Sequence, residues 1–110
     1  MIMDTEIKTK IKKIKLVITD VDGVLTDGGM YYNQDGEYMK KFNTKDSMGM
    51  ELLLQSNIKT VLVTREDSKI VQERVKKIKI VDLFSGILKK EDLLPDLLEK
   101  YDVSNEETAY

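Results

Sequence analysis

The chain has 110 residues, 18 Lys and Arg against 20 Asp and Glu, a formal net charge of −2, and no cysteine or histidine. That rules out disulfides, thiolate chemistry, the usual zinc sites and a Ser-His-Asp triad, so an enzyme built on it must use other groups, carboxylates first, as nucleophile and proton carrier. The even mix of charge carries no nucleic-acid footprint, no apolar run approaches the roughly 20 residues of a membrane span, and the N-terminus lacks an apolar signal core, so the expected location is cytoplasmic.

The length suggests one domain, residues 1–110, with a modest core. The Lys-rich start, Lys8 to Lys15, reads as a solvated face or a frayed terminus. "IKLVITD", Ile14 to Asp20, reads as a strand buried on both faces, as in a parallel sheet. "MYYNQDGEYMKKFN", Met30 to Asn43, reads as a β-hairpin turning on Asp35-Gly36. Asp46 to Asn57 reads as a helix capped by Asp46 or Ser47, with Met50, Leu53 and Leu54 on one face. Lys59 to Thr64 is a second buried strand. Asp67 to Ile78 is an amphipathic helix with Ile70, Val71, Val75 and Ile78 facing inward. Val81 to Gly86 holds a short third strand. Lys90 to Asp102 is a helix bearing Leu93, Leu94, Leu97, Leu98 and Tyr101, with Pro95 near its first turns. "EETAY" reads as the approach to a fourth strand. This alternation predicts an α/β fold, a parallel sheet with helices on both faces.

The first strand runs into "DVDGVLTDGG". In open parallel sheets ligands sit outside the carboxyl ends of the strands, and Asp20 begins that loop. A hard cation such as Mg²⁺ would stabilise carboxylates there. A carboxylate kept ionised beside it can attack phosphorus, and a second one two residues on can protonate the leaving oxygen and later activate water. Gly23 suits a sharp turn. The bland alternative is a turn with solvated aspartates. An EF-hand is excluded, because the position of its last Glu ligand falls on Tyr31.

The stretch "DVDGVLTDGGMYYNQDGEYMKKFNTKDSMGM" resembles the haloacid dehalogenase (HAD) phosphatases, and more closely the branch acting on 3-deoxy-D-manno-octulosonate 8-phosphate. That branch also holds phosphatases of nine-carbon sugar acids and the C-terminal domain of some CMP-sialic acid synthetases. The resemblance implies a cap-less Rossmann-like fold and a Mg²⁺-dependent phosphatase. It implies Asp20 as nucleophile and metal ligand. It implies Asp22 as general acid/base, meeting the metal through its backbone carbonyl. Thr26 and Asp27 read as loop-shaping. "FNTKDSMGM" is similar to the family's pocket segment, which makes Asn43, Thr44, Lys45, Asp46 and Ser47 candidate substrate contacts; Asp46 and Ser47 keep their reading as helix caps. Thr64 corresponds to the hydroxyl that holds the phosphoryl group. Lys90, in the spacing G-x-x-x-K from Gly86, corresponds to the lysine that neutralises it, with Lys89 as runner-up. Glu66 corresponds to a position that helps choose the sugar acid and leans toward nine-carbon acids. Arg74 falls near the substrate carboxylate in the family, or is a solvated helix arginine.

The sequence departs from the pattern twice. "TRED" stands where the family reads T-G-R or T-G-E, so Arg65 replaces a glycine and puts the local turn in question. The family's acidic loop, G-D-D-x-x-D, does not occur before Tyr110, so the resemblance covers roughly the N-terminal two-thirds of a typical member and the chain reads as truncated. Weak metal binding, an exposed sheet edge and uncovered apolar helix faces are the expected consequences. Tyr31, Tyr32, Tyr38, Met39 and Phe42 load the hairpin heavily. In the resembling family such a hairpin builds a homotetramer that closes each site; packing on its own domain is the alternative. The competing functional reading is a catalytically silent oligomerisation module.

Overall fold

Along the chain the elements are α1 (Thr5–Ile11), β1 (Leu16–Thr19), β2 (Tyr31–Asn33), β3 (Gly36–Met39), α2 (Thr44–Gln55), β4 (Lys59–Val63), α3 (Lys69–Val75), β5 (Asp82–Phe84), α4 (Lys90–Tyr101) and β6 (Thr108–Ala109). They come from a computed structural model, which describes residues 4–110. β1 pairs in parallel with β4 on one side and β6 on the other, and β5 extends the sheet beyond β4. The order β5-β4-β1-β6 means that the chain builds outward from β1, then reverses to its other side. That reversal places a topological switch point at β1, where open α/β sheets form their ligand crevice.

The sheet is buried on both faces, which is why β1 and β4 read as continuous apolar runs. Leu16, Ile18, Val61 and Val63 pack on Leu97 of α4, with Leu93, Leu94 and Tyr101 around them. Leu62 faces the other way, into a cluster with Val21, Leu25, Met50, Val71 and Ile78. So α2 and α3 cover one face and α4 the other, as the α/β reading expects.

Several boundaries differ from the sequence reading, each for a local reason. α2 starts earlier, because the side chain of Asn43 accepts from the Lys45 N–H at 2.9 Å. The cap is therefore Asn43, and Asp46 and Ser47 fall in the first turn. The hairpin loop is Gln34-Asp35, one residue earlier than expected, with Gly36 already paired to Asn33 at φ +118°. Asn33 draws the turn forward by accepting from the Asp35 N–H at 2.9 Å. Pro95 lies in the second turn of α4, near the helix start as the sequence reading places it, and the helix continues because Leu94 and Leu97 are held by the sheet. α3 is shorter than expected, beginning after Ser68. α1 was not anticipated as a helix; Asp4 caps it by accepting from the Glu6 N–H at 2.7 Å, and it buries no side chain.

The hairpin forms its own two-stranded sheet, joined to the rest by a bridge between Thr26 and Phe42. Tyr32, Tyr38 and Met39 on it are exposed, as are Met48, Leu52 and Leu54 on α2. Among the described residues no helix is long and apolar enough to cross a membrane.

Leu62 is 1% exposed and Leu52 is 56% exposed. Leu62→Ala is expected to cost about 2–5 kcal/mol in urea or thermal unfolding, and Leu52→Ala no more than about 0.5 kcal/mol. Equal effects would contradict this core. A second prediction concerns acid. Burial alone would raise the Asp82 carboxyl, but Lys100 and the Tyr101 hydroxyl donate to it and hold it below its ordinary value. A folded pKa below the unfolded one gives stability that is present above the ordinary carboxylate range and lost as pH falls through the folded value. Asp82→Asn is expected to flatten the acid limb of a stability-against-pH curve.

Candidate active site

The acidic loop is organised by the residue between its two aspartates. Val21 is fully buried in the cluster beneath α2 and α3. Its carbonyl accepts from the N–H groups of Val24, Leu25 and Thr26 at 3.2, 2.8 and 3.2 Å. Burying Val21 leaves Asp20 and Asp22 half-exposed on either side of it at the carboxyl end of β1. The turn that follows passes through Gly23 at φ +80°, a region costly for any residue with a Cβ. Thr26 ties the loop off. Its buried hydroxyl oxygen accepts from the N–H groups of Gly23 and Gly28, both at 3.1 Å. The loop-shaping role expected of Thr26 is what these contacts describe.

Three strand ends meet here. Asp20 follows β1, Thr64 follows β4, and Lys90 opens α4 after β5. Lys90 Nζ lies 2.8 Å from Asp20 Oδ2, while Asp20 Oδ1 accepts from the Val21 N–H at 2.7 Å. Burial works against the Lys90 charge, but the hydrogen bond to Asp20 and its negative charge, with a smaller contribution from Tyr110, together outweigh it and hold the ammonium above the ordinary lysine range. Thr64 is 1% exposed and clamped through its backbone, its N–H donating to the Phe84 carbonyl and its carbonyl accepting from the Ile87 N–H. Arg65 does not strain the turn after it. Among the described residues only Asn57 and Asp102 have positive φ without being glycine, so this turn needs no glycine.

Asp22 has a partner that the sequence reading missed. Lys40, just past β3, reaches it with Nζ 2.6 Å from Asp22 Oδ1, and lies 3.0 Å from Glu37 Oε2. The Lys40 side chain is fully buried. Its available signal was the strand period: Lys40 stands two residues before Phe42, whose ring packs on the core. A lysine in a "KK" pair reads as surface, and only the fold brings the hairpin onto the acidic loop.

The other candidate contacts are spread more widely. Asn43 and Asp46 line a hollow of about 350 Å³ with Val24, Thr26 and Lys41. Ser47 and Arg74 line a narrower cleft with the same two residues. Arg74 donates to the Asn43 carbonyl at 3.4 Å and stacks over Phe42, so it is neither free nor simply solvated. Thr44 opens α2 and is exposed; Lys45 lines a separate hollow under that helix. Glu66 lines a hollow of about 270 Å³ facing the hairpin, with Tyr32, Glu37 and Asp67. Lys90 borders another, largely apolar hollow of about 310 Å³ between α4 and the β6 edge. The structure thus gathers Asp20, Asp22, Thr64 and Lys90 at one edge, and arranges the pocket candidates around it in separate clefts. Among the described residues no three acidic, histidine or cysteine side chains converge as a metal cage.

Comparison with known proteins fits this geometry. No family model matches the chain. It is 41% identical over 101 residues to 3-deoxy-D-manno-octulosonate 8-phosphate phosphatase of Haemophilus influenzae, covering 92% of this chain and 56% of that protein. The cobalt-bound structure of the phosphatase of that name from the same organism superposes with a TM-score of 0.87 at 40% identity, covering 92% of this chain and 59% of that one. The corresponding phosphatase of Moraxella catarrhalis, solved with a magnesium ion, a phosphate ion and KDO, superposes at 0.90 and 35% identity, covering 98% and 62%. The chain is a homologue of these phosphatases, and a structure described as a putative HAD-superfamily hydrolase from Legionella pneumophila superposes as well, with a TM-score of 0.87 at 32% identity, covering 96% of this chain and 61% of that one. It spans 56% to 62% of the length of these relatives. The α/β sheet with its acidic first loop is therefore the HAD fold, and the resemblance read from the sequence extends over nearly the whole chain.

Thr26→Val keeps the shape but removes the acceptor for two loop amides. It is expected to destabilise the protein by about 1–3 kcal/mol, with Thr26→Ser recovering most of the loss in thermal unfolding.

Proposed function

We propose that this protein is a Mg²⁺-dependent phosphatase that hydrolyses a sugar-acid phosphate through an aspartyl-phosphate on Asp20. The observation that carries the reading is the pairing of Asp20 with Lys90 at the switch point, beside a second aspartate and a buried Thr64. The donor set suits the cation. The Asp20 carboxylate and the Asp22 backbone carbonyl offer two oxygen ligands, and Mg²⁺ typically takes one or two carboxylates and fills its shell with water and substrate phosphate. When bound, the ion draws charge from the phosphoryl oxygens and fixes their orientation.

The side chains supply the rest. An Asp20 oxygen attacks phosphorus, and the ester P–O bond breaks as Asp22 delivers a proton to the departing sugar hydroxyl. Water, giving its proton back to Asp22, then attacks the aspartyl-phosphate, releasing inorganic phosphate and free Asp20. Lys90 and Thr64 hold the phosphoryl oxygens, and Lys90, which loses Asp20 as its counter-ion when that carboxylate is esterified, then balances the charge on the phosphoryl group. Asn43, Thr44, Lys45, Asp46, Ser47, Glu66 and Arg74 surround the sugar acid in this reading. The relatives' names favour 3-deoxy-D-manno-octulosonate 8-phosphate; Glu66, by the family resemblance, leans toward a nine-carbon acid 9-phosphate. The exposed Tyr32, Tyr38 and Met39 suit the hairpin to a homotetramer contact.

Phosphate release from a panel of eight- and nine-carbon sugar-acid phosphates tests the proposal. Asp20→Asn is expected to lower kcat by roughly 10³-fold or more, and a chelator to abolish turnover that added Mg²⁺ restores. Wild-type-like activity in Asp20→Asn refutes the mechanism. A folded wild type that hydrolyses none of the panel favours a silent oligomerisation module.

A further inference from the structure

Lys40 raises a question that the phosphatase chemistry leaves open. It belongs to the hairpin, yet its ammonium is buried with no side-chain surface exposed and donates to two carboxylates, Asp22 Oδ1 at 2.6 Å and Glu37 Oε2 at 3.0 Å. Placing a lysine head in such a site is costly unless its partners are well placed.

The arrangement is asymmetric. Glu37 lies on β3, the same strand that leads into Lys40, so that contact is local to the hairpin. Asp22 lies 18 positions away, in the loop after β1. Nearby, the Thr26–Phe42 bridge joins the same two segments through their backbones. The hairpin therefore grips the acidic loop at two points, one of them the side chain that handles the proton in the proposed reaction. Lys40 engages Oδ1 of Asp22, and among the described residues no other group donates to that carboxylate. Oδ2 is left as the oxygen that can hold and deliver a proton.

We propose that Lys40 is a positioning residue, which fixes the rotamer of Asp22 so that Oδ2 faces the leaving oxygen and which couples the setting of the hairpin to proton delivery. This rests on the phosphatase reading above. Lys40 touches neither substrate nor phosphorus; it acts through Asp22. The step it serves is the breaking of the ester P–O bond, with the proton passing from Asp22 to the departing hydroxyl oxygen. That proton matters for an alkyl alcohol, which leaves poorly as an anion, and much less for p-nitrophenolate, which leaves readily without one.

The test uses that contrast on the full gene product with Mg²⁺. Wild type, Lys40→Met and Lys40→Arg are assayed with the best sugar-acid phosphate of the panel and with p-nitrophenyl phosphate, reading the first turnover. For Lys40→Met the expected kcat loss on the sugar phosphate exceeds that on the aryl phosphate by about tenfold or more, with KM moving less than about threefold. Lys40→Arg keeps the charge in a different geometry and is expected to fall between. If circular dichroism shows Lys40→Met unfolded, the Lys40→Arg ratio carries the test. Losses that are equal on the two substrates, or absent, make Lys40 a structural ion pair only and overturn the proposal. A wild type inactive on both substrates removes the phosphatase reading itself, and this proposal with it.

Discussion

The acidic edge of the sheet depends on the burial of one valine. Val21 stands between two aspartates, and its side chain can enter the core only if the chain turns at once after β1. That turn is held by three N–H groups donating to the Val21 carbonyl, by Gly23 in the left-handed region, and by the Thr26 hydroxyl across the loop. With Val21 anchored, its neighbours are left half-exposed on either side. Two carboxylates that would repel each other in a flexible loop are thereby held at a fixed spacing.

Each carboxylate then meets a cation from a different part of the fold. Lys90 reaches Asp20 from the start of α4, and Lys40 reaches Asp22 from the hairpin. The two lysines differ in setting. Lys90 is a quarter exposed and could leave Asp20 for another anion, as the proposed reaction requires; Lys40 is sealed between two carboxylates and has no such freedom. One cation is placed to exchange partners and the other to hold one, in line with the different roles proposed for Asp20 and Asp22.

The hairpin is the least self-sufficient part of the structure. Two short strands are marginal in water alone, and here they present Tyr32, Tyr38 and Met39 to solvent while Phe42, Lys40 and Glu37 turn inward. Its attachment to the acidic loop through the Thr26–Phe42 bridge and the Lys40 ion pairs makes the hairpin's position a variable of the site. Anything that seats the exposed face of the hairpin would steady Asp22 through the same contacts.

Much of this was legible in the sequence, because periodicity and loop chemistry act locally. The unbroken apolar runs of β1 and β4 announced a sheet buried on both faces, and the acidic string after the first run marked its functional end. Asp20 and Asp22 could be named because they follow a strand whose pattern is clear, whereas Thr64 and Lys90 were named only through the family resemblance. Local hydrogen bonds shifted several boundaries: Asn43 took the cap expected of Asp46 or Ser47, and Asn33 drew the hairpin turn forward. Only the tertiary structure decided the rest. Arg74 was tied to Asn43 and Phe42 by helix packing, and Pro95 was tolerated inside α4 because the sheet holds the helix. Lys40 became the partner of Asp22 because the chain folds the hairpin back over the first loop. Pattern reveals which face of an element is apolar; which charges meet across elements is set by how those faces pack, and one chain segment does not record the other's position.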